Sequence, residues 1–288
     1  VLEGVTLTIQ PGVVVKFDSH KALQVQGELI AQGSSDLPIL FTSNISPANP
    51  GDWDYIFFTD SSVDALFNLD GNYLSGSILA YVVIEYAGGS TVEKDGALRM
   101  NNAAPFIHDT TVRLSADSGI HWFGEANNTL KMMRCTIVDN VGTGVIALNN
   151  PGYTELSESL IENNNFNGVN LGDGYSAGTY VVTGNIIHDN HGGGGDYAGV
   201  AVQARGPVVL RDNLISENGP GYGFVSVLIE AHAADISGNL IIDNEAGGMH
   251  VGSYYDYESS LRHIHDNVIS DNGGVGVSLS NFSGSPVI

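Results

Sequence analysis

Short stretches that alternate apolar and polar residues recur through the second half of the chain. Examples are Gly168-Val169-Asn170-Leu171, Gly199-Val200-Ala201-Val202, Gly248-Met249-His250-Val251 and Gly276-Val277-Ser278-Leu279. Alternation is the strand period, and no apolar stripe at helical spacing is long enough to compete with it. Each stretch follows one phrase, x-x-Ile-x-x-Asn, which occurs in six copies headed by Cys135, Ser159, Asn185, Asn213, Asn239 and Asn267. Its central isoleucines, 137, 161, 187, 215, 241 and 269, step by 24 to 28 residues. A fixed period of this size predicts a solenoid whose repeats stack on their neighbours. The expected fold is all-β: a parallel β-helix with about three short strands per coil and about 4.8 Å between coils.

The last position of the phrase is Asn in every copy: Asn140, Asn164, Asn190, Asn218, Asn244 and Asn272. Asn tolerates the left-handed backbone that a sharp corner needs. Its amide can also donate to one coil while accepting from another, which predicts a ladder of stacked amides. An ionised aspartate could not donate in this way. The residue before each Asn forms a different column, Asp139, Asn163, Asp189, Glu217, Asp243 and Asp271. It is expected to face water as an acidic stripe. Five members, Asp139, Asp189, Glu217, Asp243 and Asp271, are candidate calcium ligands, since calcium takes six to eight oxygens in flexible geometry. Solvent-facing carboxylates without a metal are the alternative.

Upstream, Thr111 to Trp122 fits the same register, and Tyr81 to Tyr86 is one coil earlier. Before that, Val5–Ile9, Val13–Phe17, Ala22–Leu29, Pro38–Phe41 and Gly51–Phe58 read as further strands, with Pro11-Gly12 as a turn. We expect about 10–11 coils in a single β-helix domain over 1–288. Residues 1–80 form irregular N-terminal coils and 81–288 regular ones. The pattern starts and stops in mid-repeat, so a segment of a longer protein, or end-to-end self-association, is expected.

Acidic residues outnumber basic ones 32 to 10, for a formal net charge of −22. That argues against nucleic acid, which needs a basic surface, and disfavours a polyanionic substrate. No apolar run is long enough to insert directly into a membrane. The acidity and the paucity of Lys predict an extracellular or cell-surface location. The single Cys135 cannot form a disulfide within the chain.

The repeated phrases with their following glycines resemble the parallel β-helix repeat family, within the wider pectate-lyase-like superfamily. The N-terminal stretch, Gly4 to Phe17 followed by Leu23 to Gly33 and Ile39 to Thr42, looks like the start of secreted bacterial and archaeal surface β-helix proteins. The resemblance implies a right-handed winding. It leaves function open, because such folds serve as lyases, hydrolases, epimerases, adhesins and fibres alike.

Enzymes of that superfamily place catalysis on the outward row of one sheet. Here the row after the repeat glycine reads His121, Ile146, Asn170, Ala201, Ser226, His250 and Ser278, without a carboxylate, Lys or Arg. A glycosidase needs two carboxyl groups about 5 to 9.5 Å apart, and a lyase needs a base with a cation for the substrate acid. Polygalacturonase-type motifs are also missing. Candidate metal groups at His188, Asp189 and His191, and the pair His263 and His265, have solvent-facing readings as alternatives. Aromatic residues gather at turns: Trp122, Tyr153, Tyr175, Tyr254, Tyr255 and Tyr257. They are candidates for stacking on a neutral glycan, or else for shielding the core edge. The leading expectation is a non-catalytic extracellular structural or adhesive β-helix. The alternative is a carbohydrate-active enzyme or carbohydrate-binding module acting on a neutral polysaccharide.

Overall fold

The computed structural model describes residues 1–89, 96–125, 127–192, 199–220, 225–252 and 262–280. The chain winds into a parallel β-solenoid, with no helix among the described residues. One sheet has ten strands, mostly of three residues, such as Thr136–Val138, Leu160–Glu162 and Ile186–His188. We call it the first sheet. The remaining coil strands form one continuous 18-stranded ladder that covers two further faces. The second sheet holds Ile120–Phe123, Val145–Ala147 and Val169–Gly172. The third holds Thr129–Met133, Tyr153–Ser157 and Thr179–Thr183. The long strands Val200–Arg211 and Val225–Ser237 run across both faces, which joins their ladders. Every coil-to-coil pairing among the described residues is parallel. The sole antiparallel pair is a hairpin, Leu66–Phe67 with Tyr73–Ser75, inserted between N-terminal coils.

Two left-handed residues bracket each of the last seven strands of the first sheet. On one side stand Asp109, Arg134, Glu158, Gly184, Asp212, Gly238 and Asp266. On the other stand Leu114, Asp139, Asn163, Asp189, Glu217, Asp243 and Asp271. Their φ values run from 48° to 68°. The left-handed position is therefore the acidic column and not the Asn that follows it, contrary to the expectation from sequence. A left-handed residue turns the chain by one tight corner and leaves the next side chain pointing inward. Asp and Asn bear that conformation better than most residues, which accounts for much of this column.

The inward residue at the second corner is the invariant Asn. Asn140, Asn164, Asn190, Asn218 and Asn244 are buried. Each Nδ2 donates to Oδ1 of the next Asn, ending at Asn272, over 2.8 to 3.0 Å. From Asn164 onward, each Nδ2 also donates to an isoleucine carbonyl of the preceding coil, as Asn190 does to Ile161 at 3.1 Å. Each Oδ1 also takes the backbone N–H one coil back, as from Asn164 N to Asn190 Oδ1 at 3.2 Å. Both hydrogens of each inner amide are thus used, as burial demands.

A second amide stack lies at the first corner. Asn185, Asn213, Asn239 and Asn267 are joined by Nδ2-to-Oδ1 bonds of 2.8 to 3.0 Å. Ser159 and Cys135 occupy the same column earlier in the chain. Cys135 N donates to Ser159 Oγ at 3.0 Å, and Ser159 N to Asn185 Oδ1 at 2.9 Å.

The core fills the space between the three sheets. Val112, Ile137, Ile161, Ile187, Ile215 and Ile241 of the first sheet are fully buried in one column. Each such side chain contributes about 1.5–3 kcal/mol by leaving water. The repeat glycine makes this column fit. A Cβ on Gly168 would lie 2.7 Å from Ile187 Cγ2 and 2.9 Å from Asn190 Nδ2. Near the N-terminus the core changes to aromatic packing. Phe17 stacks on Trp53 at 4.1 Å, and Trp53 Nε1 donates to Glu85 O.

Two outcomes follow. Asn190→Ala strips Asn164 of its side-chain acceptor and leaves Ile161 O and Asn218 Oδ1 without that donor. We expect a loss of about 1–3 kcal/mol in urea unfolding, and an unchanged midpoint would show that the amides do not stack. Burial pushes the Cys135 thiol up to about 12, so a thiol reagent should label it only in denaturant; rapid labelling of the native protein would contradict its placement.

Candidate functional site

The outward row of the second sheet is fixed by strand register: His121, Ile146, Asn170, Ala201, Leu228, His250 and Ser278. Leu228 replaces the expected Ser226, whose side chain is buried. The row also extends upstream through Gln24, Phe57 and Arg99. A cation therefore does stand in it. Arg99 is buried with its guanidinium 4.6 Å from the Tyr55 ring, 5.1 Å from Phe57 and 5.7 Å from Phe123. No carboxylate joins the row, and His121 and His250 are five coils, about 24 Å, apart.

The aromatic candidates separate. Trp122 is fully buried and donates from Nε1 to Ala103 O at 2.9 Å. It is a core residue and not an edge residue, because strand alternation turns 122 inward beside Met100 and Ala147. Tyr153 lies on the outward side of the third sheet, where its hydroxyl donates to Glu155 Oε2 at 3.1 Å. Burial first, then the Glu155 charge, hold its phenol far above the ordinary range, so it stays a donor. Tyr254, Tyr255 and Tyr257 lie outside the described residues.

Tyr175 is 60% exposed. It lines a cavity of about 330 Å³ with Glu125, Asn149, Pro151, Asp173, Ser176 and Ala177. Three successive turns between the second and third sheets build this cavity, one coil above another. Asp173 is held in place, since its Oδ1 accepts from Tyr175 N at 2.9 Å and Ser176 N at 3.0 Å. With the Asn149 amide turned so that its nitrogen faces the carboxylate, it donates to both Asp173 oxygens. Arg205 lies 5.8 Å from the Tyr175 ring. The cavity thus combines an aromatic wall, two carboxylates and an amide.

The acidic column does not gather into a cation site. Among the described residues no three His, Cys, Asp or Glu side chains are grouped to hold a metal. Asn163 interrupts the column, donating to Asp139 Oδ1 at 2.6 Å and meeting His191 Nε2 at 2.9 Å. His188 faces Ser216 Oγ at 3.3 Å and Glu162 at 4.0 Å. The backbone demand at this corner accounts for the Asp and Asn residues of the column. His263 lines a second cavity of about 280 Å³ beside Asp235, floored by Pro207, Val209 and Ala233. His265 lies 3.8 Å from Asp235 and 2.8 Å from Asp266.

The third sheet and the corner after it carry ion pairs that sequence reasoning missed. Lys131 Nζ is 3.6 Å from Glu155 Oε2 and sits 4.7 Å over the Phe67 ring of the hairpin. Arg134 grips Asp109 with two bonds, of 3.0 and 2.8 Å, and reaches Glu158 at 3.8 Å. Arg211 pairs with Asp235 at 2.6 Å. The available signal was repeat spacing: Lys131 with Glu155, and Arg134 with Glu158, are each 24 residues apart, one full coil.

A family described as the right handed beta helix region matches residues 118–288. The chain belongs to this family. Among solved structures, this right-handed β-helix is similar to the A-module of the mannuronan C-5 epimerase AlgE4 of Azotobacter vinelandii. That match has 12% identity over 98% of this chain and 91% of the other, with a TM-score of 0.45. A pectate lyase, Pel9A, matches at 12% identity over 99% of this chain and 71% of the other, TM-score 0.44. ORF18 of Geobacillus virus E2 matches at 12% identity over 97% and 53%, TM-score 0.29. No curated protein matches the chain.

The Asp109 carboxyl is pulled below its ordinary 3.8, chiefly by the Arg134 hydrogen bonds and then by His108. A carboxylate held low stabilises the fold above the unfolded pKa, and that contribution is lost as pH falls through the lowered one. Arg134→Met should therefore flatten the fall in urea midpoint below about pH 4. The effect should stay under about 1 kcal/mol, because the arginine is 44% exposed. An acid limb identical to that of the unmodified protein would exclude the pair as its source.

Proposed function

We propose that this β-helix is an extracellular carbohydrate-binding protein that takes a neutral glycan in the Tyr175 cavity. The observation that carries the reading is the exposed Tyr175 ring beside the Asp173 and Glu125 carboxylates and the Asn149 amide. An aromatic face covers the apolar carbons of a sugar ring, while carboxylates and amides take its hydroxyls. Backbone N–H groups already order Asp173, so little freedom is lost on binding. Two carboxylates at the cavity, against the one arginine beside the Tyr175 ring, and a formal charge of −22 disfavour uronic acids and other anionic sugars.

The test is a glycan array carrying neutral and uronate oligosaccharides, followed by calorimetry on the hits. We expect neutral glycans to bind. Tyr175→Ala should weaken them at least about tenfold, or about 1.4 kcal/mol, with no fall in Tm because the ring is mostly in water. Failure of every neutral glycan to bind, or full affinity in the Tyr175→Ala protein, would refute the reading.

A further inference from the structure

The last described strands of the second sheet hold a side-chain arrangement that the glycan reading leaves unused. His250 lies on the strand Gly247–Gly252 and is paired in register with Ser278 of Val277–Leu279. Its Nδ1 is 3.1 Å from Ser278 Oγ, and its Nε2 is 3.0 Å from Ser280 Oγ. A neutral imidazole has one N–H and one lone pair, so it cannot donate to both serines. In the tautomer that gives Nδ1–H to Ser278, Nε2 accepts a hydrogen bond from the Ser280 hydroxyl. That order is nucleophile, base and orienting group, the chain of contacts that activates a serine.

Two features set this arrangement apart from ordinary stacking of polar residues. Gly252 lies directly beneath it: a Cβ there would be 2.7 Å from Ser280 Oγ and 3.0 Å from His250 Nε2. The position without a side chain is the one where the nucleophile and base meet. All three groups are also partly open to solvent, whereas His121 in the same outward row is buried.

We propose that Ser280 is a nucleophile activated by His250 and positioned by Ser278, and that it hydrolyses small acyl esters. In the first half-reaction the Ser280 O–H bond breaks, with its proton passing to His250 Nε2. Oγ bonds to the ester carbonyl carbon, and the alcohol leaves with the proton from Nε2. In the second, His250 takes a proton from water as its oxygen attacks the acyl carbon. The acyl carbon–Oγ bond breaks as Nε2 returns its proton to Oγ, which releases the carboxylic acid and restores the Ser280 hydroxyl. The open strand face suits short acyl groups such as an acetyl ester of a sugar hydroxyl. The proposal stands independently of glycan binding at Tyr175.

A fluorophosphonate probe with peptide mapping, and 4-nitrophenyl acetate with release followed optically, test it on the whole chain. The probe should mark Ser280, and Ser280→Ala should abolish both labelling and catalysed release. His250→Gln should slow labelling by about 100-fold or more with its Tm unchanged. Ser278→Ala, which removes only the positioning contact, should keep the label on Ser280 but shift the pH dependence of its formation. A label absent from Ser280 in the native protein overturns the proposal, whatever the variants do. So does ester release that persists in folded Ser280→Ala, or labelling as fast in folded His250→Gln as in the native protein.

Discussion

Two tight corners in each coil direct an amide into the interior, and the regular part of the molecule depends on satisfying that amide. A buried amide without partners costs several times what a made hydrogen bond contributes. Stacking solves this only if every coil presents the same group at the same height. The neighbouring features follow from that demand. A left-handed residue must precede each amide to aim it inward, and a small residue must lie alongside to leave it room, as Gly168 does for Asn190. An isoleucine three residues earlier packs the space below. The phrase repeated along the chain is thus one physical requirement written six times.

Residues under this requirement were legible in the sequence. The stack of Asn140 to Asn272 and the buried isoleucines from Ile137 to Ile241 repeat without substitution, so periodicity exposes them. The first-corner stack was hidden because Cys135 and Ser159 stand where later copies carry Asn, and three residue types conceal one role. The left-handed position was assigned one residue late, since Asn suits that conformation in isolation as well as Asp does. Trp122 was placed on an edge because aromatic residues near turns look alike in sequence; only alternation against Met100 and Ala147 reveals its inward direction. The outward row slipped by two residues at Leu228, because in this coil Ser226 stands in the column of the repeat glycine, level with Gly199.

The candidate site was only partly readable for a related reason. Outward positions are not bound by the coil's own packing, so their chemistry changes from one coil to the next. The cavity around Tyr175 draws on Glu125, Asn149 and Asp173, residues from three separate turns that no contiguous motif contains. His250, Ser278 and Ser280 are likewise brought together by coil stacking alone. The interior holds the winding constant while the outside varies at little structural cost. A solenoid can therefore carry chemistry at several independent heights.

Both amide stacks run the same way, each nitrogen pointing toward the next coil along the chain. Because like bonds to like at every level, excising one complete turn would let the severed neighbours rejoin through the identical bond. Nothing in this internal spine sets the number of turns. Height is a free variable for such a fold, open to duplication or loss of whole turns, whereas the insertion of part of a turn would break both stacks at once.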